Sequence, residues 1–263
     1  MRGFITRSVV CLALLLPSFG CAPARTEGLP PISAAASTRR LLEELCELYA
    51  REHGLHLRVS AAASSTLARQ IEKGKPFALY VSAHPQWVSY LLKRGWGDPA
   101  SEQDWLRNQL VWVRHVDADF ALGEGPSLPA GWSGRLSLGN PEHVPVGYYA
   151  KQALQHVGLW ESFRPQAEKE DAPMIVPAAN ASAGLRNVST AQCECGIVYL
   201  SDAQQSPKIE VLYQFAPDSH SPIRYPILLP KGAGPEIRAF VQWLFGPEAA
   251  QLIRRHGFEP VKS

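Results

Sequence analysis

Twice near its beginning the chain passes from a short apolar stretch into small residues and serine, and then into helical periodicity. The first passage is Ala34-Ala35-Ala36-Ser37 and the second is Ala63-Ser64-Ser65-Thr66. Beyond Ser37, the residues Leu41, Leu42, Leu45, Leu48 and Tyr49 fall on one helical face. Beyond Ser64, Leu67 and Ile71 do the same, until Gly74 and Pro76 stop the pattern. A strand that runs directly into a helix, repeated, indicates parallel α/β units. In such folds the helices begin at the carboxyl ends of the strands, where ligands bind. Serine is a preferred N-cap, and a helix start leaves backbone N–H groups unpaired. Each serine therefore reads as an ordinary cap or, if the two helix starts meet, as half of an anion site built without formal charge.

The rest of the chain keeps the alternation. Residues 29–36 predict a strand led in by Pro30 and Pro31, and residues 38–53 a helix closed by Gly54. Residues 55–60 alternate as a strand, and residues 77–82 form a nearly continuous apolar run, as in a strand covered on both faces. A helix over 85–94 carries Trp87, Tyr90 and Leu91 on one face and stops at Gly95. Further strands are expected over 110–113, 135–139, 174–176, 196–200, 211–215 and 223–229. Helices are expected over 145–156, over 180–191 with Asn180 as cap, and over 235–256 with a break near Gly246-Pro247. The segment 116–133, with Gly123, Gly125, Pro126, Pro129 and Gly131, reads as loop. Two α/β units whose strands cross between them fit a bilobal, cleft-forming protein. The expected division is a first lobe over 29–111, a second over 112–218, and a return to the first over 219–263.

Composition narrows the function classes. Formal net charge is +2 over 263 residues, and no basic run with interleaved aromatics occurs, which argues against a nucleic-acid partner. Arg2 and Arg7, the apolar run 9–16 and Pro17-Ser18-Phe19-Gly20-Cys21 read as a secretory signal peptide over 1–21, too short to span a bilayer. Gly20-Cys21 resembles a lipoprotein cleavage site with Cys21 acylated, although Ser18 stands where such sites usually carry Leu; cleavage after Ala22 or Ala24 is the alternative. The expected location is the periplasm or cell envelope, with membrane contact only through that lipid anchor. Cys46 lies on the apolar side of the first helix and reads as a buried thiol. A metal site at Cys193 and Cys195 would need ligands that the neighbouring sequence does not supply, and a disulfide between them would be strained, so their state stays open.

Five stretches, in order, carry a resemblance. They are Ala34-Ala35-Ala36-Ser37; residues 64–72, Ser-Ser-Thr-Leu-Ala-Arg-Gln-Ile-Glu; residues 139–151, from Gly139-Asn140-Pro141-Glu142-His143 to Tyr148-Tyr149-Ala150-Lys151; Gly196-Ile197-Val198-Tyr199 with Ser201-Asp202-Ala203; and Gly246-Pro247-Glu248-Ala249-Ala250. Over nearly all of its length beyond the leader the chain resembles the periplasmic molybdate-binding proteins of ABC importers. The resemblance implies a periplasmic-binding-protein fold and a tetrahedral oxyanion held between two lobes by hydroxyls and backbone N–H groups. It places Ser37 and Ser64 as hydroxyl ligands, Val146 and Ala181 as backbone N–H donors at helix starts, and Tyr199 as the hydroxyl that completes the shell. Without it, Tyr199 reads as a buried strand tyrosine. The implied ligand is molybdate or tungstate, with no cofactor and no direct metal-ion ligand. The implied partner is a membrane-embedded ABC permease, and the implied state is a monomer.

The chain departs from the family pattern. Where the family usually carries an aspartate in a Pro-Ala-Asp stretch it has Phe77-Ala78-Leu79, and its Ser-Ala-Asp counterpart is Ser82-Ala83-His84. A charged segment near the fourth contact is replaced by Asn180-Ala181-Ser182. Arg39 and Arg40 occupy the first turn of the first helix, where cations oppose the dipole; they read as surface residues or as groups near the entrance of an anion site. Two other readings follow: a divergent member that binds another oxyanion or serves as a membrane-anchored sensor, and a serine hydrolase with Ser37 or Ser64 as nucleophile and His84 or His143 as base. Against the hydrolase, no Gly-x-Ser-x-Gly elbow surrounds either serine.

Overall fold

The computed structural model describes residues 28–163 and 173–261; the expected signal peptide and Cys21 lie outside the described residues. The first unit runs β1 (Ile32–Ala35), a 3-10 turn (Ala36–Thr38), α1 (Arg39–His53), β2 (Val59–Ala62), α2 (Ser64–Glu72), β3 (Tyr80–Val81), α3 (Pro85–Leu92) and β4 (Gln103–Arg107). The second runs β5 (Leu110–His115), β6 (Arg135–Gly139), α4 (Pro145–His156), β7 (Met174–Ala178), α5 (Ala181–Ser189), β8 (Cys195–Tyr199), α6 (Leu200–Ala203) and β9 (Ile209–Gln214). The chain then returns through β10 (Arg224–Leu228), α7 (Pro235–Trp243), α8 (Pro247–Arg255) and β11 (Glu259–Pro260).

The strands form two mixed sheets. One has the order β11-β4-β10-β3-β1-β2 and the other β7-β6-β8-β5-β9. In the first, β1 lies parallel to β2 and β3; in the second, β6 lies parallel to β7 and β8. The antiparallel pairings run through β10, against β3 and β4, and β11, against β4, in the first sheet, and through β5, against β8 and β9, in the second. The bilobal α/β class read from the sequence is the one observed. The expected boundary at 111/112 falls inside β5, all of which belongs to the second sheet, so the outward crossing lies at Asn108-Gln109.

Other differences have physical reasons. The second strand is Val59–Ala62 rather than 55–60, because it pairs in register with β1 from Ile32↔Val59 to Ala35↔Ala62. Leu55 and Leu57 still pack against the core, but from a loop. Residues 77–82 are all buried, as a strand covered on both faces requires, yet only Tyr80–Val81 pairs as strand. The strand β4 was not expected: polar Gln103, Asp104 and Arg107 flank its buried Trp105 and Leu106 and mask the apolar signal. The terminal helix is interrupted at Gly246 as expected, giving α7 and α8. Gly54 closes α1 in the left-handed region (φ 71°), where a residue without Cβ is unstrained.

Candidate oxyanion site between the lobes

The β1–β2 register ends both strands level, so both serine passages begin at the same sheet edge. Neither serine is an N-cap. Ala35 and Ala63 occupy the cap positions and make no side-chain cap bond. Ser37 lies inside the 3-10 turn and Ser64 is the first residue of α2. Both hydroxyls are thereby released from capping and point elsewhere. Ser37 Oγ lies 3.0 Å from the Tyr225 hydroxyl. Ser64 Oγ accepts from the Ala83 N–H at 3.0 Å, and the Tyr80 hydroxyl donates to the Ser64 carbonyl at 2.8 Å. Ser65 Oγ is buried and has no protein partner.

The second lobe contributes helix starts. Pro145 opens α4 behind Val144, which supplies no side-chain cap, and proline has no N–H, so the first amide of this helix belongs to Val146. The turn is drawn tightly against the end of β6: a Cβ on Gly147 would run into the Gly139 backbone. Asn180 caps α5 as expected, accepting from the Ala183 N–H at 2.9 Å, and leaves Ala181 as the first helical residue. Tyr199 ends β8 with its hydroxyl buried and without a partner, and burial pushes that hydroxyl well above its ordinary pKa.

A line of contacts connects these parts. The Tyr199 ring lies 5.9 Å from that of Tyr225, which holds Ser37, and 6.5 Å from that of Tyr149, one turn beyond Val146. The Tyr149 hydroxyl donates to the Ala83 carbonyl at 3.4 Å across the cleft, and the Ala83 N–H is bound to Ser64. Ser182 Oγ, next to Ala181, donates to the Ala36 carbonyl at 3.3 Å, also across the cleft. All five residues singled out in the sequence are buried: Ser37 and Ala181 are 6 % exposed, and Ser64, Val146 and Tyr199 are 1 % exposed. Hydroxyl and first-turn N–H donors of this kind suit an anion that carries no proton.

Sequence reasoning missed Tyr225, Tyr149 and Asn108. Asn108 Nδ2 donates to Ser201 Oγ at 2.8 Å and reaches the Tyr225 hydroxyl at 3.3 Å, tying the crossing to the site. It also missed Asp202, which is 7 % exposed and whose Oδ2 has no partner. Burial pushes its carboxyl up to about 7, against the pull of Arg40. The pattern of a polar residue inside Tyr199-Leu200-Ser201-Asp202 was a signal, but its burial was not visible locally.

The departures from the family pattern have structural roles. Leu79 is fully buried in the first core. His84 caps α3, its Nδ1 accepting from the Gln86 N–H at 3.1 Å. Its ring faces Tyr148 at 4.9 Å and Tyr149 at 5.2 Å, both from the second lobe. Burial, with Arg224 nearby, lowers the imidazole pKa to about 4, so it is neutral at neutral pH. Neither serine is bonded to a histidine: Ser37 is engaged with Tyr225 and Ser64 with a backbone N–H. Cys46, Cys193 and Cys195 are free and buried, and burial pushes the Cys46 thiol up to about 12. Among the described residues no group of three or more His, Cys, Asp or Glu is arranged to hold a metal ion, and no helix is long and apolar enough to cross a membrane.

A cavity of about 510 Å³, which His84 does not line, has Ala36, Ser37 and Ser182 in its wall. Arg39 and Arg40 line it from α1 and Arg186 from α5. Arg39 Nε pairs with Glu43 at 2.9 Å, and Arg40 reaches the Gln205 carbonyl at 3.4 Å.

Residues 31–259 match the family model described as bacterial extracellular solute-binding protein. The chain is 36 % identical over 237 residues to the molybdate-binding protein ModA of Escherichia coli K12, covering 88 % of this chain and 89 % of the relative. It is 30 % identical over 256 residues to ModA of Haemophilus influenzae, covering 95 % and 96 %. The periplasmic molybdate-binding protein of Azotobacter vinelandii superposes with a TM-score of 0.74 at 22 % identity, covering 87 % of this chain and 98 % of that one. With a family model spanning both sheets and a relative above 30 % identity over most of both lengths, the chain belongs to the bacterial extracellular solute-binding protein family.

Proposed function

We propose that this protein captures molybdate, or tungstate, outside the cytoplasm and hands it to an ABC permease. The observation that carries the reading is the meeting of the Ser37 and Ser64 hydroxyls with the α4 and α5 starts and the unpartnered Tyr199 hydroxyl between two sheets. The relatives named for molybdate binding support the same ligand. In this reading the dianion accepts from Ser37 Oγ, Ser64 Oγ, the Val146 and Ala181 N–H groups and the Tyr199 hydroxyl. Molybdate is unprotonated at neutral pH, so a set of donors fits it. Charge-assisted bonds are roughly twice as strong as neutral ones, and several helix starts share the charge. Tyr199 gains a partner only when the ligand is present, which favours the closed arrangement with ligand over without.

The protein acts as a receptor, not as an enzyme: nothing in the donor set supplies a base to either serine. Closure of the lobes over the anion is the form that the permease reads. In this reading the chain is exported by its leader, either anchored through an acylated Cys21 or released by cleavage after Ala22 or Ala24, and works as a monomer.

Calorimetric titration with molybdate, tungstate, sulfate and phosphate tests the ligand. Submicromolar binding of molybdate and tungstate with weak sulfate binding is expected. Ser37→Ala is expected to lose about 1.5–3 kcal/mol, roughly ten- to a hundredfold in affinity. Absence of binding by all four anions would overturn the reading. Strong sulfate or phosphate binding without molybdate would favour a divergent member, for which the replacements at Leu79, His84 and Ser182 supply a basis.

A further inference from the structure

The two sides of the cleft differ in what they offer an approaching anion. At His84 a small recess of about 20 Å³ is walled by His84, Tyr148 and Pro145. On the other side about 510 Å³ reaches inward as far as Ser37. Two bonds between the lobes border it: Ser182 Oγ to the Ala36 carbonyl at 3.3 Å and Arg40 to the Gln205 carbonyl at 3.4 Å. Ser37, one of the donor set, already lines this cavity.

The cavity is lined by three guanidinium groups. Arg39 and Arg40 stand in the first turn of α1, which has no acidic residue. Cations at a helix N-terminus oppose the dipole at a cost of about 0.3–1 kcal/mol each. Fold stability does not explain them, since Arg39 is tied only to Glu43 of its own helix and both arginines are exposed. Arg186 approaches from the opposite lobe. The negative groups in the same cavity are Glu43, paired with Arg39, and Asp202. Burial leaves Asp202 only partly ionised near neutral pH. The balance around the cavity is therefore positive, three arginines against Glu43 and Asp202, which raises the local concentration of an approaching anion.

We propose that the oxyanion enters and leaves on this side, and that Arg39, Arg40 and Arg186 steer it to Ser37. The inference rests on the oxyanion-capture reading above. The arginines set the rate of capture, whereas the donors around Tyr199 set how long the anion stays. Steering of this type speeds association by about 10- to 1000-fold and fades with salt. Between about 0.01 M and 1 M salt the screening length falls from about 30 Å to 3 Å.

Stopped-flow mixing with molybdate, read by intrinsic fluorescence across that salt range, tests it. The triple variant R39Q/R40Q/R186Q is expected to bind about tenfold more slowly than the parent at low salt. Its rate is expected to be nearly flat with salt, and its dissociation rate within about twofold of the parent's. The control K73Q/K93Q/K231Q removes the same number of charges from exposed positions that do not line the cavity and is expected to keep the parent's rate. An arginine variant that associates as fast as the parent at low salt, or a lysine control slowed equally, overturns the inference while leaving oxyanion capture intact. A parent protein with no saturable response to molybdate or tungstate overturns both.

Discussion

On one side of the cleft, His84, Tyr148 and Tyr149 bring rings from the two lobes into contact, and the Tyr149 hydroxyl reaches the Ala83 carbonyl. On the other, a recess lined by Arg39, Arg40 and Arg186 is bordered by the Ser182–Ala36 and Arg40–Gln205 bonds. The aromatic side is held by ring contacts that centre on the buried Tyr149, with His84 partly buried and Tyr148 at the surface. The arginine side is bridged by hydrogen bonds and carries charge. An anion site needs both: dry walls make each donor bond stronger, while a charged mouth makes the dry site reachable. A neutral imidazole at His84 suits the first role, because it can pack against tyrosine rings where a carboxylate would have to be desolvated.

The largest break in this contrast is expected from Gly147→Ala. The added Cβ meets backbone at Gly139, which cannot move aside as a side chain can. The α4 start must shift, and with it Val146, Tyr148 and Tyr149. A loss of at least about 3 kcal/mol in thermal or urea unfolding is expected, together with loss of oxyanion binding. Parent-like stability and affinity would show that the α4 start is not locked to β6 as described.

A smaller effect separates the two sides by pH. The folded-state pKa of His84, about 4, lies below its unfolded value near 6.5. The folded protein therefore binds fewer protons than the unfolded chain between these values. The His84 contribution is fully present above about pH 6.5 and is lost as pH falls through 4, on the order of 3 kcal/mol. Urea unfolding at neutral pH and near pH 4 measures it. His84→Asn keeps an N-cap acceptor but cannot titrate, so its stability is expected to fall less between the two conditions. An equal fall in parent and variant would remove the neutral histidine from the account of the aromatic side.

Much of the fold was readable because it rests on local signals. The strand β6 and the helix α4 follow from their own apolar pattern and from Pro145, and the break between α7 and α8 follows from Gly246-Pro247. The β2 offset was not readable, since Val59–Ala62 is selected by pairing with Ile32–Ala35 rather than by its own alternation. At the site, Ser37 and Ser64 announced themselves by standing where strands turn into helices. Their reading as caps was the local default, and it failed because Ala35 and Ala63 take those positions. Val146 and Ala181 stand at helix starts, and a proposed role through backbone N–H groups leaves no side-chain signature; only the resemblance singled them out. Tyr225 is 188 residues from Ser37 along the chain, and no local pattern reports such a contact.

The central claim is that Ser37, Ser64, Val146, Ala181 and Tyr199 hold one oxyanion. A crystal structure with molybdate, with the metal located by its anomalous scattering, tests it most directly. The expected result is a single strong peak with oxygens in hydrogen-bond reach of those two serine hydroxyls, the two amides and the Tyr199 hydroxyl, and with the lobes closed. A peak confined to the arginine-lined recess, or none between the lobes in a protein that binds molybdate in solution, would contradict it.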